Sequence, residues 1–300
     1  MVSIPPKTTN TDFVPASPMS QKLSRVLNHK SITIGGGILI VMILMAILAP
    51  FIAPHDPFSQ NLTKRFLDPV WYPKGTWEHP LGTDSFGRDY LSRMIFGARA
   101  SLLIGFSAML ISGLIGTTLG VLAGYFGGRV DMVITFIITT RLAIPVILVA
   151  LVVVALAGNS LSIVIWVLGF LIWDRFAVVM RSATQQIRAL DYVTAAQAIG
   201  CSTLRIIFSE ILPNITNALI VIATLEVAHA ILLEAALSFL GLGVQPPTPS
   251  WGLMVSEGKG MMFFKAWVIA IPGIALFLLV LSINLLGDGI RDVTAPENRN

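Results

Sequence analysis

Six apolar stretches, each on the order of 20 residues, decide what this chain can become. They cover about 32–53, 100–124, 132–157, 161–180, 215–240 and 266–286. In hydrocarbon no water is at hand to pair backbone N–H and C=O groups, so such a segment crosses as a helix that satisfies them internally. The expected fold class is an all-α polytopic membrane protein with about six transmembrane helices set in a lipid bilayer. Only 12% of the 300 residues are charged, against roughly 25% in soluble domains, and mean hydropathy is +0.80. The formal charge of +4 calls for no nucleic acid partner, because basic residues at the membrane faces account for it. Cys201 is the single cysteine, which excludes an intrachain disulfide. The four histidines are scattered along the chain, and no metal site is expected.

The first apolar run begins at Ile32, too late and too long for a cleaved leader, and reads as a helix that stays in the membrane. Residues 1–31 are rich in Pro, Ser and Thr and read as a disordered tail. That tail carries Lys7, Lys22, Arg25 and Lys30 against Asp12 alone, which places the N-terminus in the cytoplasm. Six spans return the C-terminal tail, 293–300, to the same side. The expected division is the tail, a first helix at 32–53, an extracytoplasmic loop at 54–97 and a five-helix core at 98–292.

The longest charged interruption of the apolar pattern is 189–214, ALDYVTAAQAIGCSTLRIIFSEILPN. Asp191 is placed to cap a short helix over 192–199, and Gly200 to end it in the left-handed conformation. Ser202 or Thr203 then opens a second helix, expected to stop at Pro213. Ala195 and Ala196 give the first helix a face without bulk, against which another backbone can come close. The spacing of Ala195-Ala196, Gly200 and Leu212-Pro213 resembles the EAA loop of permeases in binding-protein-dependent ABC importers. The resemblance implies a coupling helix that docks into a groove of a cytoplasmic ATPase. Where that family carries a Glu this chain has Thr194, so the resemblance reaches the small-residue surface and not that charge.

Three more strings point the same way. The loop between the first two spans ends in HPLGTDSFGRDYLSRMIFGAR, in which Gly82, Thr83 and Asp84 read as a turn and Gly87, Arg88 and Asp89 as the lead into a helix. The string resembles the signature of the C-type subunit of dipeptide and oligopeptide permeases. So does 237–252, LSFLGLGVQPPTPSWG, whose glycines and prolines forbid a continuous helix and force the chain to reverse or re-enter. Trp251 there is a side chain of the kind that settles at a membrane interface. The last span closes with NLLGDGIRD at 284–292, again similar to that family.

Charged residues within the spans are costly in lipid and mark candidate function. They are Arg141, Asp174-Arg175, Glu226, His229 and Glu234. Asp174 and Arg175 lie towards the inner end of the fourth span, where snorkelling or mutual pairing is enough. Glu226 and His229, three apart, share a helix face; Glu234 is turned about 80° away. These residues suit a translocation path or a subunit interface. A proton-coupled secondary transporter would use similar residues, Glu226 or Glu234, and stays open as an alternative. Gly116, Gly120 and Gly124 recur every fourth residue in the second span and suit close helix packing with a partner.

No phosphate-binding loop, nucleophile elbow or zinc helix is present; Gly258-Lys259-Gly260 lacks both the spacing and the hydroxyl of the first. The chain is expected to be a non-catalytic subunit that binds no cofactor. The resemblance, running from about residue 32 to residue 292, implies a type I ABC importer permease fold of the MetI-like kind in the bacterial inner membrane. It further implies a B-type permease as heterodimer partner, two ATPase subunits that use ATP and magnesium, and an extracytoplasmic peptide-binding protein. The implied cargo is a dipeptide or oligopeptide; relatives that carry nickel chelates, glutathione or other small solutes are the alternative.

Overall fold

The computed structural model of the chain describes residues 29–294, and helices dominate it, with no strand among the described residues. The expected tails at 1–31 and 293–300 lie almost wholly outside those residues. The first two crossings are α1 (Lys30–Ile47) and α2 (Tyr90–Phe126). Next comes a pair, α3 (Gly128–Ala143) and α4 (Val146–Ala157), bent by 84° at the break. A fourth crossing, Leu161–Arg188, joins α5 (Leu161–Leu171) to α6 (Asp174–Arg188). The short helix α7 (Asp191–Ala198) follows. The fifth crossing is the run Thr203–Phe239, whose main part is α8 (Leu212–Phe239). After the short α9 (Trp251–Gly258), α10 (Trp267–Thr294) closes the bundle.

Proline accounts for the main departures from the expected spans. The third stretch, 132–157, is no single helix. Pro145 has no N–H and crowds the residue before it, and Ile144 is driven to extended backbone (φ −97°, ψ 125°). Pro50 breaks the first stretch at 47–49, and a new turn, Ala49–Ile52, accommodates it in its first positions. Pro213 does the opposite of what was expected, for the helix runs through it. The turn before it, Ile206–Ile211, widens to a π-helix in which the Leu212 N–H reaches back to the Ile207 carbonyl. The wider turn keeps the chain helical where the proline cannot donate.

Glycines of α2 set the centre of the bundle. A Cβ on Gly120 would stand 2.6 Å from the Ala177 carbonyl oxygen and 2.9 Å from the Arg181 nitrogen, and one on Gly124 would strike Thr184. Gly116 lies against Trp173 and Phe176 in the same way. The stripe is therefore consumed inside this chain, against α6, and is not offered to a partner. Arg181 of α6 reaches across to Asp131 of α3 and pairs with both of its carboxylate oxygens. Four apolar clusters complete the core among the described residues, the smallest of them Ala123, Ile134, Ile138 and Ala177 of α2, α3 and α6. Of the others, one joins α1, α2, α8, α9 and α10; a second joins α2, α4, α5 and α8; a third joins α2, α6, α7 and the start of the fifth crossing.

The molecule has two unlike ends. At one, α7 hangs between α6 and the fifth crossing, and the Arg188 guanidinium lies 5.8 Å from the Tyr125 ring centre at the end of α2. Arg291 and Thr294 of α10 share a groove there with Gln186, Ile187 and Asn214, and His29 lies 3.5 Å from Asp292. The described chain thus begins and ends at the α7 end. The opposite end is made of 54–89, 240–250, α9 and 259–266. Trp251, expected at an interface, is fully buried there, and its indole N–H donates to the Met94 carbonyl at 2.9 Å.

Candidate functional site

At the α7 end the sequence motif folds much as its residues dictate. The helix begins at Asp191, one residue before the expected start; Leu190, not Asp191, is the N-cap, and the Asp191 carboxylate sits in the first turn, where the helix dipole favours it. Gly200 has φ +82°. Its N–H donates to the Gln197 carbonyl and that of Cys201 to the Ala196 carbonyl, which closes the helix as a Schellman motif. Val193 is buried against Ile206, Ile207 and Ile211, so α7 is anchored on the fifth crossing. Thr194 and Ala195 face outward, Ala196 is half-buried, and a Cβ on Gly200 would meet open space. Ile199 is 80% exposed and Leu204 68%. The loop thus presents a bulk-free helix face and two apolar side chains on a rigid mount. Leu212 is half-buried against the apolar cluster that also holds Val193 and Ala196, and Pro213 follows the π-turn described above.

Midway along the bundle the charged residues meet. Glu226 of α8 is wholly buried; one carboxylate oxygen is 3.1 Å from His229 Nδ1 and the other 3.4 Å from Arg175 Nη1 of α6. Of the two readings for Asp174 and Arg175, snorkelling or mutual pairing, the side-chain pair does not form: Asp174 accepts the Arg175 backbone N–H, while the guanidinium crosses to α8. Arg175 and His229 border a cavity of about 160 Å³ together with Arg141, Asp174 and Pro145, at the bend between α3 and α4. Arg141 donates to the carbonyls of Ile144 and Leu171, groups that the broken helices leave unpaired. Arg141, Asp174, Arg175 and His229, all singled out as charged residues within the spans, thus meet at one place. Glu234 is elsewhere: buried within the chain, it accepts from Ser238 at 2.8 Å and Ser250 at 2.9 Å and ties α8 to the start of α9.

The opposite end is organised by the Gly82–Asp89 string. Asp84 accepts the backbone N–H groups of Phe86 and Arg88 and pairs with the Arg88 and Arg93 guanidinium groups. Both arginines also reach Glu257 of α9, at 3.1 and 2.6 Å. Thr83 accepts from the Leu67 N–H and donates to the Lys64 carbonyl. Asp89 caps α2 through the Ser92 N–H. Gly82 and Gly87 adopt positive φ in the turns that make these approaches. The string is a buried ionic clamp, and its partners Arg93 and Glu257 lie outside the residues singled out from sequence. Two of the four histidines, expected to be scattered, also converge here: His55 and His79 both face Asp89. On the rim, the hydrogen bond from Lys64 holds the Glu78 carboxyl below the usual carboxylate range.

Comparison with known proteins decides what this architecture is. The family described as binding-protein-dependent transport system inner membrane component matches residues 116–300, and the N-terminal TM domain of oligopeptide transport permease C matches 17–69. The chain belongs to that family of importer permeases. It is 40% identical to the dipeptide transport system permease protein DppC of Haemophilus influenzae, over 96% of this chain and 98% of that protein. It is 42% identical to the di/tripeptide transport system permease protein DppC of Pseudomonas aeruginosa, over 88% of each. Among solved structures, the inward-facing MetNI methionine ABC transporter superposes with a TM-score of 0.57 at 20% identity, covering 67% of this chain and 96% of the matched chain. That likeness gives the type I importer permease fold. The permease is thus a multi-pass inner-membrane component of a system that also comprises ATPases and a binding protein.

Proposed function

We propose that this chain forms one half of the path by which an ATP-driven importer brings dipeptides or short oligopeptides across the bacterial inner membrane. The observation that carries the reading is near-full-length identity of about 40% to dipeptide permeases. In this reading a B-type permease is the other half, two ATPase subunits using ATP and magnesium work at the α7 end, and a peptide-binding protein docks at the opposite end. Both termini are then cytoplasmic.

The geometry supports a specific route for the power stroke. Helix α7 forms the apex of a hairpin whose arms, α6 and the fifth crossing, are tied at mid-depth by Arg175 and Glu226. A push on Thr194, Ala195 and Gly200 by the closing ATPases reaches both arms, because Val193 and the uninterrupted run Thr203–Phe239 transmit it without a hinge. The Glu226–His229–Arg175 group then moves with the arms beside the cavity at the α3–α4 bend. That group is offered as a lining of the path, in which Arg175, 52% exposed, is the open member. A proton-coupled mechanism is not favoured.

The test is ATP hydrolysis by the purified complex in lipid discs, with dipeptide-loaded and empty binding protein. Stimulation by the loaded form is expected. Uptake that follows a proton gradient and ignores ATP would overturn the reading.

A further inference from the structure

We propose that His55, His79 and Asp89 form a site for one divalent transition-metal ion of the zinc class, at the end of the permease opposite α7. The three residues come from separate places: the chain just after α1, the middle of the outer loop and the N-cap of α2. His79 Nδ1 lies 2.9 Å from Asp89 Oδ1, and His55 Nδ1 lies 3.6 Å from the same oxygen. All three donor atoms fall within 4.8 Å of one another, and the imidazole centres are 4.8 Å apart. A four-coordinate zinc ion, with bonds of about 2.0–2.1 Å, holds its ligand atoms about 3.3 Å apart. The separations involving Asp89 bracket that value, and the third closes when the imidazoles draw together by about 1.5 Å.

A hydrogen-bonded clip accounts for His79 and Asp89 but leaves His55 unexplained. Its Nδ1 is shielded from solvent, has no hydrogen-bond partner and points at a carboxylate too distant to bond. An ion between them gives that nitrogen its partner. The donors are also held for the purpose. The His55 backbone N–H donates to Ser92 Oγ at 3.0 Å, Ser92 N–H donates to the other Asp89 oxygen at 2.7 Å, and His79 is buried. Such outer support orients ligands and strengthens binding. Two imidazoles and a carboxylate select zinc or a neighbouring transition ion over magnesium or calcium. His55 is 37% exposed on its side chain, which leaves one position open to water. The bound ion would pin two points of the outer loop to the first turn of α2.

The experiment uses the full complex in lipid discs, freed of metal by chelation and then exposed to Zn²⁺ alone or Co²⁺ alone. The wild type is expected to retain one Zn²⁺ per permease chain more than His55→Ala does. It should also show the ligand-field absorption of tetrahedral Co²⁺, which His55→Ala lacks, and His29→Ala should match the wild type in both. The His55 ring makes no hydrogen bond, so this variant tests the site even where His79→Ala fails to fold. Zn²⁺ is further expected to slow proteolysis of the 54–89 loop in the wild type only. Equal Zn²⁺ retention by wild type and His55→Ala, or Co²⁺ without that absorption, would overturn the proposal.

Discussion

Replacing Arg93 by Met tests whether the end opposite α7 is held by charge. Arg93 is fully enclosed in the first turn of α2, and its Nη1 lies 2.5 Å from Asp84 and 2.6 Å from Glu257. Arg88 pairs with the same two carboxylates. Two cations thus face two anions. At charge separations near 4 Å and an effective dielectric of about 20, each attraction is about 4 kcal/mol. Withdrawing the guanidinium from water costs several kcal/mol, so the intact cluster sits close to balance. The Arg93 Nε and Nη2 atoms find no partner, which lowers the net value further. Taking away Arg93 alone leaves the buried Asp84 and the partly exposed Glu257 to share one cation, a loss of about 3 kcal/mol at the lower end of the range for broken buried pairs. That is a factor of about 100 in the folding equilibrium. The double variant Arg93→Met/Glu257→Met keeps the Asp84–Arg88 pair and should recover most of the loss. Thermal unfolding in lipid discs and trypsin cleavage within 54–89 would measure both. An Arg93→Met protein within about 1 kcal/mol of wild type, as for a surface pair, would refute the buried clamp, as would a double variant weaker than the single one.

Gly120→Leu puts a side chain where a Cβ alone meets the α6 backbone; it should cost at least the roughly 1–3 kcal/mol of an overpacked core and reduce the folded protein recovered from membranes. Gly200→Asp should abolish coupled uptake and leave the protein in the membrane, because Asp is strained at φ +82° and projects into the open space beside α7; unchanged uptake would remove that face from the mechanism. Glu226→Gln and Glu234→Gln should each lower uptake far less than Gly200→Asp, and a greater loss in either would restore the proton-coupled alternative.

How far the residues announced this structure depended on the range of the interaction. The apolar stretches, the Gly200 stop and the Asp89 lead into α2 rest on local chemistry, and each forms where its residues dictate. Pro145 was equally local, yet a long apolar count concealed it: hydropathy does not register a missing N–H. Pro213 looks like a stop in sequence because a π-turn has no signature in composition. Arg93 and Glu257 are 164 positions apart, and no periodicity links them; only the oddity of an arginine in the first turn of an apolar helix hinted at a buried partner. The Gly116–Gly124 stripe correctly signalled close packing, but a stripe carries no information on whether the neighbour belongs to the same chain. Trp251 illustrates the same gap, for its indole N–H found a carbonyl of α2 and had no need of the membrane surface.

In the proposed mechanism the ATPase grips the α7 face. The most direct test of that grip is cysteine cross-linking in the assembled complex, with native Cys201 replaced by Ser. Thr194→Cys, exposed on α7, should cross-link to an ATPase subunit, while Thr63→Cys, exposed at the opposite end, should not. An ATPase cross-link from Thr63→Cys, or none from Thr194→Cys in a complex that hydrolyses ATP, would contradict the account.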